Sequence, residues 1–379
     1  MKVLFFLNAY EEDGPGILIS RIASRMRSME GISLHTAALS RGGSLEKRFH
    51  ENGIPTKLIA MRGMLDFPRY NELKRFLREG AFDIIHTNIL RADLIGRSAA
   101  HAAGIPFIIS TEHGIHAWEH KGRLVRKLVK RYYLHTVKFT SSIIAVSDFV
   151  KKSLIAEGIP EEKVVRIYNG VDTDYFVPLK DDEKNALRRY ITDEPVDSAI
   201  GLVGNLIEMK GLRYFIQALP QIFQNHPRTL VVVVGEGPLR NEMEREIALQ
   251  NLSRKVKFVG KFTQITQRIV AAMDILIQPS LTESFGLTAA EALSCGVPVV
   301  ASSVGGLPEL IQDEVCGNLV PPKDSEILAA KVISLMDDPE KCRRFGKAGR
   351  ERALKLFDLS DTVDKYLELY SRFMQKETV

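Results

Sequence analysis

Cysteine is scarce in this chain of 379 residues. Its three cysteines, Cys295, Cys316 and Cys342, have no C-x-x-C spacing, which fits a reducing compartment and small buried side chains rather than disulfides or zinc. Long apolar runs are also missing. Nothing reaches the ~18 apolar residues of a membrane span. Val3 to Leu7 gives only five apolar residues before Asn8 and the acids Glu11, Glu12 and Asp13, too few for the apolar core of a signal peptide. That stretch reads instead as a first buried strand, and a cytoplasmic protein is expected. Neither a short-period repeat nor a low-complexity segment appears.

What remains is an ordinary globular composition, 45% hydrophobic and 26% charged, at a length that suggests about two domains. The net charge of +5 is unevenly divided, +7 up to Pro178 and −2 beyond it. The basic half should therefore face any anionic partner or surface. Nucleic acid is not among the partners expected.

Apolar strands alternate with helical stretches throughout. In the first half Val3–Leu7, His35–Leu39, Asp83–His86, Phe107–Thr111 and Ser142–Val146 read as strands, separated by helices such as Leu18–Met29, Tyr70–Glu79, Leu90–Ala103 and Leu124–Leu134. Ala199–Val203, Leu230–Val234, Val256–Phe258, Ile275–Ile277 and Val299–Ala301 repeat the pattern. Such alternation predicts an α/β fold, two doubly wound parallel sheets covered on both faces. The join is expected near Phe176–Asp182, and a last helix over Ser360–Gln375 is expected to pack back across it.

The stretch from Gln278 to Pro298 organises the chemistry. It holds two carboxylates, Glu283 and Glu291, around the step Ser284-Phe285-Gly286, between a short buried strand and a helix over Thr288–Ser294. A strand-to-helix turn of this kind suits a phosphorylated ligand: helix-terminal N–H groups favour an anion, and Gly286 lets the backbone approach it. Thr288-Ala289-Ala290-Glu291 equally fits a capping box, in which Glu291 only bonds back to the helix cap. Further on the amino side, Gly201-Leu202-Val203-Gly204-Asn205-Leu206 followed by Lys210-Gly211 gives a strand, a glycine turn and an ammonium, again suited to a diphosphate.

Other motifs carry weaker signals. Asn8 to Gly16 follows the first strand, and its Gly14-Pro15-Gly16 permits a tight turn near a ligand. His113 ends the fourth strand, a position that borders ligand crevices in open α/β sheets. His116, Glu119 and His120 match H-x-x-E-H, a zinc-peptidase pattern that needs a helix, yet they begin just after Gly114 on an apparent loop. Asp172-Thr173-Asp174 follows Asn-Gly and reads as turn chemistry. Lys121 to Lys138 contains seven Lys/Arg and no acid, with Leu124, Leu128 and Tyr132 at i, i+4, i+8. Such a basic amphipathic helix either lies on an anionic membrane or packs on its own domain with a solvated basic face.

Taken together, Pro279-Ser280, Glu283 to Leu287 and Glu291-Ala292 through Gly296 to Val300 resemble the donor-site signature of the family 4 retaining glycosyltransferases. Thr111-Glu112-His113, Ala145-Val146-Ser147, Asn169-Gly170-Val171-Asp172, Gly204 to Gly211 and Val234 to Arg240 resemble further family segments. Two positions depart from the pattern: Gly14-Pro15-Gly16 stands where a Gly-Gly pair is usual, and Asn205 where an arginine is usual.

The resemblance implies a GT-B architecture, two Rossmann-like domains facing across an interdomain cleft. An acceptor-binding domain is expected over residues 1–178 and a donor-binding domain over 179–358, with 359–379 returning to the first. It also implies transfer of a hexosyl unit from a nucleotide-diphosphate sugar, most simply a UDP-sugar, to a glycan or lipid-linked acceptor, as in cell-surface polysaccharide or glycolipid synthesis. No metal or other cofactor is required. His113 and Glu283 would be catalytic, with Gly16, Asn205, Lys210, Glu283, Ser284, Phe285, Gly286, Leu287 and Glu291 binding the donor. The expected location is the cytoplasm, peripheral on the inner membrane face through residues 121–138. Alternatives are a nucleotide-sugar epimerase of the same fold, a catalytically silent nucleotide-binding module, and a zinc peptidase.

Overall fold

The computed structural model describes residues 1–63, 65–114, 122–261 and 264–376. The chain divides into two compact units, Met1–Gly170 with Leu359–Val379, and Val171–Asp358. Each is built on one parallel sheet.

In the first unit the strands are β1 (Lys2–Leu7), β2 (Ser33–Ala38), β3 (Thr56–Leu58), β4 (Ile84–Asn88), β5 (Phe107–Glu112), β6 (Ser142–Ala145) and β7 (Val164–Arg166), in the spatial order β3-β2-β1-β4-β5-β6-β7. The second unit holds β8 (Ser198–Val203), β9 (Thr229–Val234), β10 (Val256–Phe258), β11 (Ile275–Gln278), β12 (Val299–Ser302) and β13 (Gly317–Val320), ordered β10-β9-β8-β11-β12-β13. The central strands are buried along nearly their whole length, which is why they read as continuous apolar runs. Phe215, Ile216 and Leu219 from the helix Leu212–Asn225 pack with Val231 and Val233 in the core of the second unit. Among the described residues no helix is long and apolar enough to cross a membrane.

The closing helix Leu359–Lys376 packs on the first unit. Arg25 donates to Ser360 Oγ at 2.6 Å, and Thr362 Oγ1 donates to the Tyr168 carbonyl at 3.1 Å. His86, buried in β4, bonds Tyr370 Oη through Nδ1 at 2.5 Å and Thr111 Oγ1 through Nε2 at 2.6 Å. Burial pushes the His86 imidazole down to about 3, so the contact is a neutral one near pH 7.

Three strands escape the apolar pattern, β3, β7 and β13. They lie at sheet edges, span three or four residues each, and include Lys57, Arg166 and Asn318, so their pairing partner rather than their own sequence makes them strands. Two local expectations are corrected. Gly14-Pro15-Gly16 is not a tight turn but the first turn of the helix Gly14–Arg27, because Asp13 caps it by accepting the Gly16 N–H at 2.7 Å and proline is preset for helix entry. The helix expected from Thr288 starts at Leu287, with Gly286 as its cap at φ +103°. Thr288 therefore cannot cap it, the capping-box reading fails, and Glu291 sits past the first turn. Asp172 does accept from the Tyr175 N–H at 3.3 Å, as turn chemistry requires.

Candidate functional site

In the second unit the connections from β8 and β11 leave in opposite directions, since β9 lies on one side of this pair and β12 on the other. Loops that diverge in this way open a crevice outside the carboxyl ends of the two strands. The loop after β8 passes through Asn205 into a short 3-10 turn, Glu208–Lys210, and then the helix Leu212–Asn225. The loop after β11 runs from Pro279 to Gly286 and into the helix Leu287–Ser294.

Backbone contacts fasten these loops together. The Leu281 N–H donates to the Met209 carbonyl at 2.8 Å. Gly211 has φ +66°, and a Cβ there would fall 1.8 Å from the Pro279 carbonyl oxygen. Only glycine allows so close an approach, and the approach brings the preceding lysine across the crevice. Lys210 Nζ donates to Glu283 Oε2 at 2.6 Å. Gln278 Nε2 reaches the same oxygen at 2.9 Å and Ser280 Oγ at 3.4 Å. Glu283 Oε1 has no hydrogen-bond partner among the described residues, so one carboxylate oxygen is saturated and the other is available. The Gly306 N–H holds the Glu283 carbonyl at 3.0 Å from the other side.

The helix that follows supplies the anion-binding end. Its first backbone bond runs from the Ala290 N–H to the Gly286 carbonyl at 3.0 Å, so the N–H groups of Leu287, Thr288 and Ala289 have no acceptor within the helix. Phe285 is buried and stacks edge-on against Phe357 with centroids 5.7 Å apart. Its side chain therefore anchors the turn. Ser284 and Glu291 are half-buried. Asn205 is exposed, and its side chain bonds no described residue. Arg240 is taken up by Glu236 and by Glu244 at 2.9 Å within its own helix.

His113 and Gly16 belong to the first unit. There the corresponding crevice lies beyond β1 and β4. His113 Nε2 bonds Asn88 Oδ1, at the end of β4, at 3.2 Å, while its buried Nδ1 has no partner among the described residues. Burial pushes the His113 ring down to about 4, which makes it a neutral hydrogen-bonding group rather than a cation. Ile89, next to Asn88, has φ +74°, a strained conformation for a β-branched residue. The neighbouring Glu112 is fixed by the fully buried Arg97 at 3.2 Å and by the Tyr133 hydroxyl. Gly16 is buried in the first helical turn, where a Cβ would fall 2.5 Å from the Glu11 carbonyl oxygen.

The crevice in the second unit thus brings together Lys210, Glu283 and the turn 284–287, with Glu291 one turn into the helix. Sequence reasoning gave no role of their own to Gln278 and Ser280, although both fall within the organising stretch, and it did not single out Asn88 beside His113. Gln278 is the one polar residue of the strand ILIQ and stands at its carboxyl end, whereas Asn88 follows His86 and Thr87 in IIHTN and does not stand out. His116, Glu119 and His120 lie outside the described residues. Among the described ones, no group of three or more His, Cys, Asp or Glu side chains is placed to hold a metal.

Residues 191–352 match the family model for glycosyl transferases group 1, and residues 13–175 that for glycosyltransferase family 4. An uncharacterized glycosyltransferase of Methanocaldococcus jannaschii is 32% identical over 267 residues, 68% of this chain and 67% of that protein. The Escherichia coli UDP-Gal:alpha-D-GlcNAc-diphosphoundecaprenol alpha-1,3-galactosyltransferase is 28% identical, covering 84% of this chain and 82% of its own length. In three dimensions the chain superimposes on Anabaena HepE, solved in complex with UDP-glucose, with a TM-score of 0.85 over 98% of this chain and 100% of that one at 24% identity. With two Rossmann-like sheets and these matches, the chain belongs to glycosyltransferase family 4, the retaining hexosyltransferases of GT-B fold.

Proposed function

We propose that this enzyme transfers a hexosyl unit from a UDP-sugar to a glycan or lipid-linked acceptor, in the synthesis of a cell-surface polysaccharide or glycolipid, without needing a metal ion. The observation that carries the reading is the convergence of Lys210 Nζ on Glu283 at 2.6 Å beside the start of the helix Leu287–Ser294. A departing nucleoside diphosphate develops negative charge, and a fixed ammonium with helix-terminal N–H groups stabilises that charge.

Lys210 and the amides of Phe285, Gly286 and Leu287 bind the diphosphate, with Asn205 beside it in the loop after β8. Glu291 takes the ribose hydroxyls. Glu283, its Oε2 already occupied, offers Oε1 to a hydroxyl of the transferred sugar. The roles of His113 toward the reacting sugar and of Gly16 toward the phosphates rest on their motifs. The acceptor attacks on the face the diphosphate leaves, and the phosphate takes its proton. The related galactosyltransferase from Escherichia coli acts, by its name, on a diphosphoundecaprenol acceptor, which supports a lipid-linked acceptor met at the cytoplasmic membrane face.

The test is release of UDP from a panel of UDP- and GDP-sugars with EDTA present. Slow release from one UDP-sugar is expected, lowered about 100-fold or more by Lys210→Ala or Glu283→Ala. Intact UDP binding with no release from any donor, with or without acceptor extract, would point to a silent module. Isomerised sugar without transfer would assign an epimerase.

A further inference from the structure

Asn88 and His113, 25 positions apart, are brought together by two neighbouring strands of the first unit. The parallel register of β4 and β5 sets Asn88 beside Thr111, two residues before His113. Side chains alternate along a strand, so His86 and Asn88 share one face of β4, while Thr87 between them turns to Asp93 and Ser110 on the other. Glu112 turns to that other face as well, where Arg97 and the Tyr133 hydroxyl hold it. The His113 ring thus comes to Asn88, and the neutral His86 ring senses it.

The Asn88 side chain is buried, and its amide has a defined direction. Nδ2 donates to the His86 carbonyl at 3.1 Å, so Oδ1 is the atom that faces His113 Nε2 at 3.2 Å. An amide oxygen only accepts. Nε2 therefore carries the single ring proton of the neutral imidazole, and Nδ1 is left as a bare acceptor.

Buried acceptors in folded proteins are normally paired, yet His113 Nδ1 is buried with no partner among the described residues. The strained φ of Ile89 marks the same place. Ile89 follows Asn88 and caps the helix Leu90–Ala103, whose first backbone bond runs from the Asp93 N–H to the Ile89 carbonyl at 3.0 Å. Strain of this kind persists only where the surroundings over-determine it, and it gathers at functional sites. Asn88 is held from both sides, by the β4–β5 ladder and by the start of the helix.

We propose that Asn88 is a positioning residue for sugar transfer: it holds His113 as the Nε2–H tautomer and so leaves Nδ1 to accept from a hydroxyl of the reacting sugar. The tautomer decides the direction of that bond, since a bare Nδ1 makes the hydroxyl the donor. A ring that took up a second proton would lose this acceptor, and burial, which pushes His113 down to about 4, prevents that near neutral pH. The proposal rests on the reading of His113 as a residue that faces the reacting sugar. The two fail separately, because the tautomer is read without donor and turnover with it.

Nitrogen-15 spectra of the full chain, labelled in its histidine rings, test this, with the His113 signals identified by their loss in His113→Gln. Near pH 7 and without donor, the wild-type ring is expected to carry its proton on Nε2 and none on Nδ1. Asn88→Leu should give a mixture of tautomers and lower UDP-sugar hydrolysis about tenfold or more, with UDP affinity within about twofold and unchanged circular dichroism. In Asn88→Asp an acid faces the ring and raises its pKa, so turnover should gain a fall between about pH 7 and 5 that wild type lacks. A proton on Nδ1 in wild type, one unchanged tautomer in Asn88→Leu, or no new fall in Asn88→Asp overturns the proposal. Turnover lowered by His113→Gln but not by Asn88→Leu also overturns it and leaves the transferase reading standing. Failure of every donor to react defeats that reading instead, and the spectra still decide whether Asn88 sets the tautomer.

Discussion

Lys210 and Glu283 are 73 positions apart in the chain, yet the lysine Nζ lies 2.6 Å from a glutamate oxygen that Gln278 and Ser280 also approach. All of these contacts fall on Oε2. The carboxylate is thus oriented before any ligand arrives, and a sugar hydroxyl that binds Oε1 needs no rearrangement of the glutamate.

Gln278 should therefore matter for the sugar and not for the nucleotide. Gln278→Leu removes a donor to a charged acceptor, worth about 1.5–3 kcal/mol. UDP-sugar affinity or turnover should fall about tenfold or more while UDP affinity stays within about twofold. Isothermal titration with UDP and with the UDP-sugar measures both. Equal losses for the two ligands would mean that the substitution disturbs the whole crevice.

Gly211→Ala tests the backbone contact that fastens the two loops. A Cβ there needs a left-handed alanine and displacement of the Pro279 carbonyl, at a cost of about 3 kcal/mol. Urea denaturation should show that loss, and UDP affinity should drop with it. An alanine variant as stable as wild type would mean that the loops separate without penalty.

His86 gives the first unit a pH dependence with a definite sign. Its folded pKa is lowered to about 3, below the ~6.5 of the unfolded chain, so the unfolded state binds the proton more readily. The stabilisation from keeping this ring neutral is fully present above pH ~6.5 and is lost as pH falls toward 3. Between pH 7 and 5 the loss is about 2 kcal/mol. His86→Asn should lower stability at pH 7 and flatten its decline between pH 7 and 5, as read from urea midpoints at both values.

Much of the fold was legible because central parallel strands are buried on both faces and must be apolar, as in TLVVVV of β9 or the VLFFL of β1. Edge strands such as β13, GNLV, were not, since a neighbour's backbone supplies what their side chains do not. Within the candidate site, Glu283 and Lys210 could be named from local motifs. The roles of Gln278 and Asn88 could not, because a polar residue at the end of a strand looks like the beginning of a loop until its partner is in place.

The sequence by itself determined the class of the molecule: the alternation of apolar strands and helices, the glycine turns that allow close backbone approach, and the carboxylates on a strand-to-helix turn. These depend on the chain's local period and on the conformations each residue permits. Only the tertiary structure decided which oxygen of Glu283 is occupied, and which face of the basic helix is exposed. Periodicity marks an apolar stripe without saying what covers it. In Arg123–Val137 the body is held by Tyr133, Thr136 and Val137, and the leucines that look like a packing face are left to the solvent.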